Sequence, residues 1–158
     1  INKGELGRLQ YIYSNRLNLG QIRNEENVFW SLAPHDISIF QFLTESFPES
    51  INCQGSSFLQ PKIHDSTITH FKYKNGIEGH IFVSWLHPFK EHRLTIIGSE
   101  AMLTFEDSHE NKPLKLYSKK FNMESGIPKK FDGPVEIINY DNEMALQEEL
   151  KYKILKHY

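Results

Sequence analysis

From Ile51 to Phe105 most apolar residues recur at every second position, and two glycine turns interrupt the run. A chain patterned this way must fold as consecutive antiparallel strands, because only a strand repeats its faces with a period of two. Ser66 to Tyr73 alternates, and Ile77 to Leu86 returns after Asn75-Gly76, the dipeptide best suited to a two-residue hairpin turn. Arg93 to Ile97, a Gly98-Ser99 turn and Ala101 to Phe105 make a second pair. Leu114 to Tyr117 and Val135 to Ile138 are shorter strand candidates. Between them, Ser118 to Gly133 is polar and rich in Lys and Gly, and reads as a mobile loop.

Upstream of this run, Leu9 to Ser14 alternates and reads as one more strand. Asn15 to Glu26 is a polar connection containing Gly20, of a length that often carries function. Ser31 to Asp36 then carries a helix-start signature: Ser31 as cap, Pro34 within the first turn, and Asp36 complementing the positive end of the dipole. Ile37, Ile39, Phe40, Phe42 and Leu43 spread over most faces of that helix, which predicts deep packing and an end near Phe47-Pro48. Glu143 to Lys156 has helical spacing, with Met144, Leu146, Leu150 and Ile154 as apolar positions. The predicted class is α+β: an open, mostly antiparallel sheet with helices on one face. Phe71, Tyr73, Phe82 and Trp85 alternate on adjacent strands, so both faces carry aromatics and the second is available for subunit packing.

Composition excludes several classes of function. The 158 residues suit one domain, and a net charge of −2 without a basic stripe argues against nucleic acid. No apolar run reaches the ~18 residues of a membrane span, and the opening Ile1 to Glu5 does not read as a signal peptide. Cys53 is the only cysteine, which fits a reducing, cytoplasmic setting. None of the eight histidines shows metal-site spacing, so no metal is expected. There is no Gly-x-Ser-x-Gly elbow, no P-loop and no Gly-x-Gly-x-x-Gly, so this chain is not expected to hold a nucleotide or dinucleotide itself. Because Gly4 onward already reads as the lead-in to a strand, the chain is expected to be a piece of something longer.

Two stretches carry candidate chemistry. In Trp30 to Ser38, His35 falls in the first turn of the predicted helix, where the positive dipole end favours a neutral ring able to exchange a proton. Such a ring either takes the proton of a sugar hydroxyl as hydride leaves the same carbon, or merely packs under the first strand. In the long connection, Arg16 and Arg23 bracket Asn18. Guanidinium groups grip phosphate or carboxylate and Asn suits sugar hydroxyls, whereas the bland alternative is a solvated loop.

Taken in order, Gly4 to Leu9, Ser14 to Arg23, Phe29 to Ile39, Ser84 to Pro88, Leu94 to Phe105 and Glu143 to Leu146 resemble the C-terminal domain of the glucose–fructose oxidoreductase/inositol dehydrogenase (Gfo/Idh/MocA) family, in its nucleotide-sugar dehydrogenase-like subgroup. The resemblance implies that residues 1–158 form a substrate-binding and oligomerisation domain, and that an N-terminal Rossmann half absent from this chain binds NAD or NADP. It implies a sugar or nucleotide sugar as substrate, a homo-oligomer built through the sheet face, and no activity without the Rossmann half. By position, His35 matches the family's catalytic histidine. Arg16, Asn18 and Arg23 fall where the subgroup contacts its sugar nucleotide, and Ser31 and Asp36 complete the set assigned to substrate binding. Ser31 stands where the family places an aspartate; a serine can orient the imidazole but cannot stabilise its charged form. The alternative is a carbohydrate-binding or dimerisation module that has diverged from the family and performs no chemistry.

Overall fold

The computed structural model of the chain describes residues 4–140. In chain order these form β1 (Leu9–Leu17), α1 (Val28–Thr44), β2 (Ser50–Ser56), β3 (Ser66–Lys72), β4 (Glu78–Ser84), β5 (Glu91–Gly98), β6 (Met102–Glu106), β7 (Leu114–Glu124) and β8 (Ile127–Ile138). All eight strands join one open sheet in the order β2-β3-β4-β1-β5-β6-β7-β8. The α+β class and the open, mostly antiparallel sheet expected from the period-two run are what these residues form. At the centre, β1 pairs with β4 in parallel and with β5 antiparallel. A parallel pair needs a crossover, and here α1 together with the β2–β3 hairpin supplies it.

The crossover lays α1 on one face of the sheet, over β4, β1 and β3. Ile12, Val28, Ala33, Phe40, Ile81 and Val83 lose nearly all their surface there, and Phe40 meets Phe71 edge-on at 5.8 Å. Gly79 makes the approach close enough: a Cβ at that position would lie 2.4 Å from the Ile12 carbonyl oxygen and 3.1 Å from the Phe40 ring. On the other face, Tyr13 stacks on His80 with ring centroids 5.1 Å apart, and Tyr11 Oη lies 2.9 Å from His80 Nδ1. His70 sits directly opposite His80 across the β3–β4 ladder. No described element covers this second face; of the aromatics expected to alternate between faces, Phe71, Tyr73 and Trp85 join the core with Phe40, and Phe82 shares this face with Tyr11, Tyr13 and His80.

Several expectations need correction, the first being that β1 continues through Asn15 and Arg16 to Leu17, where the polar connection was expected to have begun. The helix starts at Val28, and its cap is Asn27, whose side-chain oxygen accepts the Trp30 N–H at 3.2 Å; Ser31 lies inside the helix. It stops at Thr44 because Glu45 turns into the left-handed region, its N–H donating to Gln41 O. Nor is it deeply packed all round, since Trp30 and Phe42 are exposed. Ser118 to Gly133 is an extended two-stranded ribbon rather than a loop, with Lys119 opposite Asp132 and Glu124 opposite Ile127. Ser125 and Gly126 close it, both at positive φ (52° and 81°), as the tight hairpin turn requires. Its lysines line solvent-exposed rungs, which is why its composition resembled a loop. The expected closing helix at Glu143 to Lys156 lies outside the described residues.

Candidate functional site

The strongest polar anchor under α1 joins two of the residues singled out from the sequence. Arg16 projects from β1 toward the helix, and its Nε donates to Asp36 Oδ2 at 2.8 Å while Nη2 donates to Oδ1 at 3.4 Å. Asp36 is 4% exposed and belongs to the buried stripe of α1 with Ala33, Phe40 and Thr44. A two-point guanidinium–carboxylate contact in so little water fixes the rotation of the helix about its axis. The pair therefore ties Asp36 to the sheet and engages the Nε and Nη2 side of the Arg16 fork inside the protein.

His35 precedes Asp36 by one residue and points away from the core, exposed on the outer side of α1. It is the eighth residue of the helix, two turns beyond the N-terminus. The expected first-turn position is therefore wrong, and the dipole argument goes with it, because that field fades within the first turn. The ring is not sealed in hydrocarbon, so the packing alternative is also excluded. Ser31 lies one turn earlier, and among the described residues no hydrogen bond joins its hydroxyl to the His35 ring. Ser38 Oγ donates to the His35 carbonyl at 2.7 Å, a local bond that helps to hold this part of the helix.

Asn18 and Arg23 are not brought together with that anchor. Asn18 lies against Gly20, where a Cβ would meet both its Oδ1 and the Trp85 ring, and that Oδ1 is buried with no hydrogen-bond partner among the described residues. Arg23 is 60% exposed and pairs with Glu26 at 2.7 Å, while its carbonyl accepts from Gln60 Nε2. The connection bearing Arg23 thus lies beside the 57–64 loop, and that loop is itself fastened to the helix start by Val28 N–H donating to His64 O. Asp65 organises the loop by accepting the N–H groups of Phe58 and Leu59, each at 2.8 Å.

Sequence reasoning missed His92. It stands opposite Arg16 in the β1–β5 ladder, with Nδ1 3.8 Å from Asp107 Oδ2 and Nε2 buried without a partner among the described residues. Burial and the neighbouring Arg16 and Lys90 charges push its pKa below the ordinary histidine value, while Asp107 and Asp36 oppose the shift. Asp107 is in turn held below the usual carboxylate range, chiefly by its bond from Lys112. Cross-strand adjacency to Arg16 was the only signal for His92, and it exists only once β5 is known to flank β1.

The fit to a nicotinamide dinucleotide can be judged on the same geometry. The start of the described helix is closed by its own Asn27 side chain and by the His64 carbonyl, so it offers no free N–H cradle to a pyrophosphate. That helix start therefore does not fit the pyrophosphate of a dinucleotide. No three His, Cys, Asp or Glu side chains converge as metal ligands among the described residues either.

Residues 1–104 match the family model for the GFO/IDH/MocA C-terminal domain. No curated protein sequence gives a significant match. Among solved structures, UDP-N-acetylglucosamine 3-dehydrogenase GnnA from Acidithiobacillus ferrooxidans superposes with a TM-score of 0.77 at 19% identity, covering 99% of this chain and 50% of that one. An inositol dehydrogenase homolog complexed with NAD+ from Azotobacter vinelandii gives 0.68 at 19% identity, over 87% of this chain and 38% of its own. The WlbA dehydrogenase from Bordetella pertussis, in complex with NADH and UDP-GlcNAcA, gives 0.58 at 17%, over 70% and 38%. At these identities the likeness establishes the fold. The chain spans half or less of the length of each of these structures.

Proposed function

This chain belongs to the GFO/IDH/MocA family, whose C-terminal domain it matches, and from that premise we propose that it is the substrate-side half of a nicotinamide-dependent dehydrogenase acting on a sugar or nucleotide sugar. The observation that carries the reading is an exposed imidazole on a helix whose next residue is locked to the sheet by a buried ion pair. Catalytic side chains gain from such rigid support, since misplacement by a fraction of an ångström costs rate. Oxidation of a secondary alcohol needs a base for the hydroxyl proton, and His35 is the group in this chain assigned to accept it. The reaction also needs a hydride acceptor, NAD or NADP, which this reading assigns to a Rossmann half outside these residues.

The remaining roles follow from what each side chain is free to do. With its Nε and Nη2 held by Asp36, Arg16 acts mainly by fixing α1, and Asp36 likewise positions His35. Arg23 is exposed enough to swing from Glu26 to a phosphate, and Asn18 offers an unsatisfied acceptor to a sugar hydroxyl if its loop opens. Ser31, one turn from His35, reaches the same surface. The open sheet face, with Tyr11, Tyr13, His70 and His80, is assigned to association between subunits.

A binding module without chemistry is the second reading, favoured by the engagement of Arg16 and by the absence of a bond from Ser31 to the imidazole. Proton NMR of the 158-residue chain tests what the domain itself recognises. UDP-N-acetylglucosamine is expected to move the His35 ring signals and those of Arg23, NAD+ is expected to move neither, and no turnover is expected with both present. Tight NAD+ binding by this chain, or sugar-induced shifts confined to residues remote from α1, would overturn the assignment.

A further inference from the structure

The two edges of the sheet are built differently. The β8 edge carries Lys129, Lys130, Asp132 and Glu136, two prolines (Pro128 and Pro134), and a register shift at Tyr117/Lys119 in its partner strand. Those are the devices by which an edge strand avoids pairing with another molecule. The β2 edge has none of them. Its seven residues, Ser50 to Ser56, include no proline and no charged side chain, and all seven are exposed. Beside it, α1 stops short of covering the sheet and leaves a groove of about 410 Å3, lined by Trp30, Ile37, Phe47, Ile51, Cys53 and Tyr73 among others. Trp30 (65% exposed), Phe47 (77%) and Ile51 (59%) form its open rim.

We infer that β2 pairs antiparallel with β2 of a second copy of this chain, continuing the sheet across a two-fold axis. The strand is its own complement. In the register centred on its middle residue, Cys53 faces Cys53, Asn52 faces Gln54, and Ile51 faces Gly55, so no like charges meet and amide groups can bond across the seam. The axis runs perpendicular to the sheet, so both α1 helices lie on the same side and the two apolar grooves merge. Covering the exposed parts of Trp30, Phe47 and Ile51 with the outer edges of both strands removes roughly 1,200 Å2 in total, which reaches the range of specific interfaces. This contact is separate from the open-face association assigned above and does not depend on it.

Cys53 provides the test. Directly opposed residues of an antiparallel pair have Cα atoms about 4.5–5.5 Å apart, within the span of a disulfide. Sedimentation of the 158-residue chain is expected to show an assembly whose mass Cys53→Lys halves, with the circular dichroism spectrum unchanged, because that substitution sets two ammonium groups against each other at the axis. Mild oxidation of the unaltered chain is expected to yield a two-chain disulfide that dithiothreitol reverses. Tyr13→Lys, on the open face, is expected to keep that cross-link, which separates the two contacts. A single-chain mass for the unaltered protein, an assembly indifferent to Cys53→Lys, or the absence of the cross-link would overturn the pairing.

Discussion

Truncating either partner of the Arg16–Asp36 pair should loosen the helix that carries His35, and by unequal amounts. Asp36 has a side chain only 5% exposed, so Arg16→Ala strands a carboxylate where water scarcely reaches. Breaking a buried pair in this way costs about 3–5 kcal/mol. The Arg16 side chain is 19% exposed, so in Asp36→Ala the abandoned guanidinium regains some hydration, and the expected cost falls to about 2–4 kcal/mol. At about 2–4 °C per kcal/mol for a domain of this size, the melting temperature should drop by roughly 4–20 °C. The double variant leaves no unpaired charge, so its cost should fall at least about 1 kcal/mol short of the sum of the two singles. Urea unfolding followed by the fluorescence of Trp85, buried at 3% exposure, measures all four corners of the cycle. Costs below about 1 kcal/mol for both single variants, or strict additivity, would show that the pair is solvated and does not hold α1 to the sheet.

Asn27→Ala removes the observed helix cap and should cost about 1 kcal/mol, whereas Ser31→Ala, inside the helix, should stay within about 0.5 kcal/mol; denaturant midpoints distinguish the two. Stability should also fall as pH drops below about 6.5, because burial lowers the pKa of both His80 and His92 in the folded chain. In that window the unfolded chain binds protons first, so the contribution is complete above the unfolded histidine pKa and is lost as pH falls through the lower folded values. Midpoints measured from pH 7.5 to 5 should decline, and His92→Asn should shallow the decline; an unchanged or rising midpoint would contradict the burial of these rings.

The strand run was legible because period two and the Asn75-Gly76 and Gly98-Ser99 turns are local signals. The place of β1 was not, since a parallel contact between Leu9–Leu17 and Glu78–Ser84 depends on where a crossover lands. The hairpin at 118–133 was misread because its exposed rungs interleave Lys and Asp with Phe121, Met123, Ile127 and Phe131, so no clean apolar face stands out, although Ser125-Gly126 was a turn signal in plain view. The helix start was placed four residues late because Asn27 closes a polar run that resembled loop, while Ser31 and Pro34 suggested an entry. That error put His35 in the first turn instead of the helix interior, and the electrostatic reason attached to it there does not hold. Arg16 and Asp36 were both singled out as residues that bind substrate. Their contact with each other, and the presence of His92 beside them, are tertiary facts that no spacing within either segment encodes.

The most direct test is the turnover number of His35→Asn in the natural polypeptide that contains this chain, assayed by nicotinamide reduction with a nucleotide sugar. If His35 receives the hydroxyl proton, kcat should fall by about 10²- to 10⁴-fold while the sugar's KM and the melting temperature hold. A kcat within about threefold of the unaltered enzyme would show that the proton leaves by another route and that α1 serves binding alone.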